Sequence, residues 1–516
     1  MAGGPLVYGA KAQWSQRTPQ YPFVQSIVEH QRTDLELLSD VLALRETTLN
    51  TLDAASLETL NQRGEVYIAT VAAGGYEYTV AMLAVLAMGA AAVLTMPALP
   101  VEEAAYFVEK AQAALALVSS LDLRKCCELE KRITSTSNEH FRGVPIGSCT
   151  YAPRLFPSAL LISSDRALEE NAPGVVIFTS GTTGPPKGAI MQRSFVFDCA
   201  LSIADHYRLA EDDVKPHVLS VHHAAGVGID FFSFLMSGSR IEFRSGGFDK
   251  VSGARQFRAC LCGTSALPQP FNDFWSALMQ KKTIQRYGAT EFEAIFKVRL
   301  DDKNVPDGSV GQAVSGIDVK LPDGDEGEVL VKSPHMFSKY LQDPEATAKA
   351  HDDDGYFRTG DIVRKEGGYY YIVGRASLDI IKSGDCKISA LDIERELLGL
   401  PHVSEAMVVG VADEEFGQRV AAFVALQEED LTDSFLKIYG DADYIITIED
   451  VRRDLRDRLS GYKLPSLLRI APGKLPKAAT DKVQKKVLGP PFFPSDYETC
   501  PEVQQWVMPR SRLAKL

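Results

Sequence analysis

The stretch Val175-Val176-Ile177-Phe178-Thr179-Ser180-Gly181-Thr182-Thr183-Gly184-Pro185-Pro186-Lys187-Gly188 constrains this chain more than any other. A short β-branched run reads as a strand, and it feeds a loop built almost wholly of Gly, Ser and Thr and closed by a lysine. Glycine lets the backbone approach an anion closely, hydroxyl and amide hydrogens donate to its oxygens, and Lys187 adds positive charge. That is the chemistry of holding a polyphosphate. The loop is not of the Walker A kind, because Pro186 stands five residues after Gly181 and no Gly-Lys-Ser/Thr follows. Composition alone would equally describe a flexible surface loop; the full string is more specific than its composition.

At 516 residues the chain exceeds one ordinary core, so two or more domains are expected. The net charge of −13, with no long basic run, argues against nucleic-acid binding through a broad basic face. An anionic substrate must then be met by local positive charge. The 8 cysteines are scattered, and neither Cys126-Cys127 nor Cys260-x-Cys262 has a partner at zinc-site spacing, which fits a reducing compartment. Residues 1–15 show no basic stretch followed by an apolar one, so no secretory signal is expected.

Residues 79–99 are almost wholly apolar and long enough to span a bilayer. Gly89 at the centre and Pro97 and Pro100 at the end favour a buried helix over 76–88 that turns into a buried strand over 90–95. Further strands are expected at 66–71, 115–119, 175–179 and 217–221, with helices between them. This alternation indicates an α/β architecture with largely parallel sheets. From 317 to 334 the texture shifts to short strands with a Pro322-Asp323-Gly324 turn, a small β subdomain. A boundary near Gly374-Arg375 divides the chain into residues 1–375 and 376–516. The second part begins with Ser389-x-x-Asp392 as a helix start, a helix over 393–400, and strands at 406–411 and 420–426 joined by a polar turn. A charged amphipathic helix over 451–459 completes a compact α+β domain.

Five further strings follow the phosphate loop in order: His222-His223-Ala224-Ala225-Gly226, Gly263-Thr264-Ser265-Ala266-Leu267-Pro268, Gln285-Arg286-Tyr287-Gly288-Ala289-Thr290-Glu291, Tyr356-Phe357-Arg358-Thr359-Gly360-Asp361 with Gly374-Arg375, and Leu475-Pro476-Lys477-Ala478-Ala479-Thr480-Asp481-Lys482. Singly they are weak; their order and spacing resemble those of the adenylate-forming superfamily of acyl-CoA synthetases, luciferases and peptide-synthetase adenylation domains. Within it, Gly374-Arg375-Ala376-Ser377-Leu378-Asp379-Ile380-Ile381-Lys382-Ser383-Gly384 and Phe416-Gly417-Gln418-Arg419-Val420 resemble the malonyl-CoA synthetase-like branch. The resemblance implies an ATP-dependent ligase that joins a carboxylic acid to AMP and then passes the acyl group to CoA. Thr179, Ser180, Gly181, Thr182, Thr183 and Gly184 would cradle phosphates together with Lys187 and Thr290. Tyr287 and Gly288 would meet the adenine, with Gly263, Thr264, Ser265 and Ala266 on its other side. Asp361 and Arg375 would clasp the ribose, Glu291 would hold Mg²⁺, and His223 would sit near the acyl carboxylate. Lys482 would bridge that carboxylate and the α-phosphate. The C-terminal domain would be mobile, swinging about Ser377 to bring Lys382, Ser383 and Gly384 to CoA.

These roles agree with the chemistry. A carboxylate attacking ATP brings two anions together, so cations must stand where charge develops. The thiol of CoA supplies its own nucleophile, and no Ser-His-Asp arrangement is visible. Four departures from the pattern stand out: only 36 residues separate Gly226 from Gly263, no N-terminal hairpin is seen near Thr33-Asp34, and aspartates (Asp385, Asp481) stand at two positions where glycine is usual. A carrier-protein thiol acting in trans is the alternative acceptor, and an impaired nucleotide-binding pseudoenzyme the alternative outcome. The final Ala514-Lys515-Leu516 is similar to the Ser-Lys-Leu address read by the peroxisomal import receptor; cytoplasm is the expectation otherwise.

Overall fold

The structure, a computed structural model, describes residues 24–25, 31–155, 169–179, 185–243, 257–263, 267, 269–384, 386–427, 445–477 and 483–506. Two compact units are distinguished: Met1–Lys250 with Gly288–Ala294 and Lys332–Gly355, and Val251–Tyr287 with Ile295–Val331 and Tyr356–Leu516.

The first unit is built on a seven-stranded sheet in the order Lys339–Tyr340, Lys187–Gln192, Pro173–Thr179, Ala91–Thr95, Tyr67–Val71, Leu115–Val118, Gly143–Pro145. From Pro173–Thr179 onward the strands are parallel, and Lys187–Gln192 runs antiparallel to both of its neighbours, Pro173–Thr179 and Lys339–Tyr340. Every residue of Tyr67–Val71 and Ala91–Thr95 is buried, the mark of a sheet covered on both faces. Tyr67, Ala69 and Val71 share a cluster with Phe107, Val108 and Leu129 from the helices Val101–Ala111 and Leu123–Thr136. The long apolar run resolves as expected into the buried helix Tyr76–Met88, a turn at Gly89 and the strand Ala91–Thr95. No helix among the described residues is long and apolar enough to cross a membrane. Thr33 caps the helix Asp34–Thr51 in a reciprocal box with Glu36.

One strand differs from expectation. Residues 217–221 were expected as a strand, but the strand is Val214–His217, and Val218 and Leu219 beyond it are 54% and 42% exposed. It lies at the edge of a four-stranded sheet, where Pro216 needs no ladder hydrogen bond.

In the second unit, Asp318–Lys320, Glu326–Lys332, Phe357–Glu366 and Tyr369–Arg375 form the expected small β-sheet. Beyond it, the hairpin Ile380–Ser383/Cys386–Ser389 leads into the helix Ala390–Leu398, capped by the Ser389 side chain. The strands Val403–Asp413, Gly417–Leu426, Leu467–Ile470 and Gln504–Gln505 make a sheet with a core on each face. Val420, Ala422 and Val424 turn to Ile393, Leu397, Val451 and Leu455, whereas Ala421 and Phe423 turn to Phe493 and Tyr497. The helix expected at 451–459 is Ile448–Leu455, because Thr447 and Asp450 form a capping box that fixes its start upstream.

Candidate active site

The phosphate loop is pinned at both ends within the first unit. Thr179 and Lys187 face each other in the antiparallel pair that flanks it. Phe178 stacks on Phe107 with ring centroids 3.8 Å apart, and the Tyr106 hydroxyl donates to the Pro186 carbonyl at 3.0 Å. Ser180, Gly181, Thr182, Thr183 and Gly184 lie outside the described residues.

Lys187 Nζ lies 5.0 Å from the ring centroid of Tyr340, whose hydroxyl donates to Glu291 Oε1 at 2.8 Å. Thr290 and Glu291 occupy the half-buried turn that follows Tyr287–Ala289. Glycine is required at 288, since a Cβ there would sit 2.0 Å from the Glu293 carbonyl oxygen. Mg²⁺ takes hard oxygen ligands and commonly relies on one or two carboxylates plus substrate phosphates and water. Glu291, half-buried and oriented by a phenol, fits that demand, and no dedicated cluster of three or more metal-ligating side chains occurs among the described residues.

The two histidines differ in character. His223 Nδ1 accepts from the Ala225 N–H at 3.2 Å, which places the ring proton on Nε2. His222 Nε2 donates to the Ala72 carbonyl at 3.0 Å, and its ring meets Tyr78 edge-on. Burial pushes the His222 pKa down to about 4, so this ring is neutral and structural.

In the second unit three of the residues expected to hold the nucleoside, Tyr287, Asp361 and Arg375, come together. Tyr287 is buried, and its hydroxyl donates to Asp361 Oδ2 at 2.6 Å. Asp361 Oδ1 accepts from Arg375 Nε at 3.0 Å; the two residues are paired across neighbouring strands. The Tyr287 ring stacks on Phe296, and Phe296 stacks on Tyr370 at 3.9 Å, so the phenol is backed by two further rings. Burial, then the Asp361 charge, hold the Tyr287 pKa well above its ordinary value. Gly263 follows the strand Leu261–Cys262, which pairs with Ile284–Gln285. Arg286 is 8% exposed, and its Nε has no acceptor among the described residues. Thr264, Ser265 and Ala266 lie outside those residues, as do Lys482, Asp481 and Asp385.

Ser377 is exposed in the turn after Tyr369–Arg375. Lys382 and Ser383 end one strand of a hairpin whose tip holds Gly384 at φ +56, a left-handed position suited to glycine. The Gly384 N–H donates to the Phe416 carbonyl at 2.7 Å and the Lys382 N–H to Gln418 Oε1 at 2.7 Å, so the polar turn over 413–418 supports this tip.

Sequence reasoning passed over Tyr340, and also the buried triad in which Lys485 Nζ contacts Asp379 Oδ1 at 2.5 Å and Glu394 Oε1 at 2.8 Å. Burial opposes the Lys485 charge, but Glu394 and Asp379 outweigh it and raise its pKa. Tyr340, Lys485 and Glu394 stand in no string with a chemical signature of its own, and Asp379, though inside the Gly374–Gly384 string, has no role implied there; only pairing in space marks them.

The sequence profile of the AMP-binding enzymes matches residues 52–251 and 244–341, and that of the AMP-binding enzyme C-terminal domain matches residues 392–482. A malonate–CoA ligase of Arabidopsis thaliana is 30% identical over 420 residues, covering 70% of this chain and 68% of the relative. A CoA ligase of Gibberella moniliformis is 27% identical over 584 aligned positions, covering 90% of this chain and 94% of the relative. In fold, the chain is similar to ATP-bound MatB from Rhodopseudomonas palustris, with a TM-score of 0.77 at 22% identity over 96% of this chain and 100% of that one. Matched in both portions and related to CoA ligases along most of its length, the chain belongs to the AMP-binding enzymes, as an ATP-dependent acyl-CoA ligase that works through an acyl-adenylate.

Proposed function

We propose that the ligase activates a short dicarboxylic acid of the malonate kind, with Tyr287, Asp361 and Arg375 holding the nucleoside of ATP. The linked trio of phenol, carboxylate and guanidinium carries the nucleotide assignment: it offers a stacking ring beside an acceptor suited to two ribose hydroxyls. Lys187 and Thr290 meet the phosphates, and Glu291 holds Mg²⁺, which when bound offsets phosphate charge. Lys482 bridges the acid's carboxylate and the α-phosphate, with His223 beside the acid. In the first half-reaction a carboxylate oxygen forms a bond to the α-phosphorus and pyrophosphate leaves. In the second the CoA sulfur attacks the acyl carbon and AMP leaves, with Lys382, Ser383 and Gly384 at the CoA side after rotation about Ser377.

Arg286 supports the dicarboxylate. A buried arginine whose Nε has no hydrogen-bond acceptor among the described residues suits an anionic group brought in by the substrate. The malonate–CoA ligase of Arabidopsis thaliana points the same way. The test is pyrophosphate release with malonate, methylmalonate, acetate, butyrate and benzoate, followed by thioester detection with CoA or a carrier protein as acceptor. Malonate or methylmalonate should be preferred and CoA should accept. Preference for a monocarboxylate would remove Arg286 from this role, and no release with any acid would indicate the pseudoenzyme.

A further inference from the structure

Tyr340 touches two residues of the phosphate site, and its own position is fixed by the fold. The strand Lys339–Tyr340 runs antiparallel to Lys187–Gln192 with Tyr340 opposite Ala189, and the Leu341 N–H donates to the Gly188 carbonyl at 2.7 Å. This pairing sets the ring beside Lys187, whose Nζ lies 5.0 Å from the centroid, within cation–π range. Phe337 backs the ring at 4.7 Å, and its N–H donates to the Glu291 carbonyl at 2.8 Å. The Tyr340 hydroxyl then donates to Glu291 Oε1 at 2.8 Å.

An ammonium and a carboxylate that share one aromatic neighbour have an obvious alternative, which is to pair with each other. Such a pair would neutralise the two charges that the nucleotide and its metal require. A phenol avoids this, because its face attracts the ammonium while its O–H orients the carboxylate without cancelling the negative charge. We propose that Tyr340 is a positioning residue of the adenylation step, holding Lys187 and Glu291 apart and turned toward Mg²⁺-ATP. This rests on the assignment of Lys187 to phosphate and Glu291 to the metal.

The test is calorimetric titration of ATP into the full chain over a range of Mg²⁺ concentrations, which needs no turnover. Tyr340→Phe keeps the ring and loses the hydroxyl, so about tenfold more Mg²⁺ should be needed for half-maximal binding, with affinity recovered at saturating Mg²⁺. Tyr340→Leu removes the separating face as well and lets Lys187 reach Glu291. ATP should then bind about tenfold more weakly at every Mg²⁺ concentration, and in the Mg²⁺-free titration, where Glu291 has no metal to hold, adding Glu291→Gln should restore part of the loss by releasing Lys187. Urea denaturation identifies any variant that has lost the fold; the Phe variant, missing one oxygen, then carries the test. Wild-type Mg²⁺ dependence in Tyr340→Phe overturns the positioning role. Failure of the wild-type chain to bind Mg²⁺-ATP at all overturns instead the site assignment beneath it.

Discussion

Replacing Asp361 by Ala separates the proposed nucleoside site into its parts. In the folded chain its two oxygens accept from the Tyr287 hydroxyl at 2.6 Å and from Arg375 Nε at 3.0 Å. Loss of the first acceptor leaves a buried phenol without its main partner. Thr359 lies beside this phenol and its hydroxyl oxygen can take over part of the interaction. The Arg375 side chain is 36% exposed, so water replaces the second bond at little cost. The stability loss should therefore be about 1–2 kcal/mol, well short of unfolding a domain. Binding should suffer more. Two hydroxyl donors on a charged acceptor are together worth about 3 kcal/mol, or roughly 150-fold in Kd. The Tyr287 ring keeps its stacking partners Phe296 and Tyr370, so adenine recognition persists in the variant. The assay compares the Kd of ATP with that of 2′,3′-dideoxy-ATP. Wild type should prefer ATP by about two decades, and Asp361→Ala should bind both equally at the weaker level. A variant that still favours ATP would show that the ribose hydroxyls are held elsewhere, and the clasp assignment would be wrong.

Lys485→Met should lower stability by about 3 kcal/mol in urea, since Asp379 and Glu394 would lose their buried cation, and adding Glu394→Gln should recover part of the loss. His222 has its pKa lowered from 6.5 to about 4 by burial, so its contribution is present above pH 6.5 and is lost as pH falls toward 4. Over that window wild type should lose up to about 3 kcal/mol more than His222→Asn, and parallel pH profiles would refute the buried neutral ring. Lys482→Ala should slow adenylation from acid and ATP by orders of magnitude while sparing thioester formation from synthetic acyl-AMP and CoA; equal damage to both would count against a lysine that acts in one half-reaction. A reporter fused at the N-terminus should give a punctate peroxisomal signal that disperses on deletion of Leu516, and an unchanged pattern would reject the address.

The parts of the fold legible in the sequence are those decided by short-range pattern. The apolar run over 76–95 could be divided into helix and strand because a glycine and flanking prolines interrupt it, and helix Tyr76–Met88 and strand Ala91–Thr95 follow that division. Edges were harder. Val214–His217 contains Lys215 and Pro216, which read as loop, and only its place at a sheet edge makes the proline tolerable. The helix Ile448–Leu455 begins three residues before its amphipathic pattern becomes plain, because the Thr447–Asp450 box fixes the start.

The site divides along a different line. Lys187 closes a glycine-rich string that announces its own chemistry, whereas Glu291, Asp361 and Arg375 could be singled out only through the resemblance carried by the order and spacing of their strings. Their mutual arrangement could not be read, because the partners are far apart in the chain: Tyr287 and Asp361 by 74 positions, Tyr340 and Glu291 by 49. A search for charge and nucleophiles also passes over a neutral tyrosine. Yet both site carboxylates accept from a phenol in this structure, Asp361 from Tyr287 and Glu291 from Tyr340. A phenol is the donor such a site needs, since it fixes the direction of a carboxylate and leaves the charge available to ribose hydroxyls or a hard cation. A lysine at position 340 would pair with Glu291 and cancel its charge, and an aliphatic residue there would leave its direction unset; at Asp361, where Arg375 already pairs with one oxygen, the Tyr287 phenol orients the other.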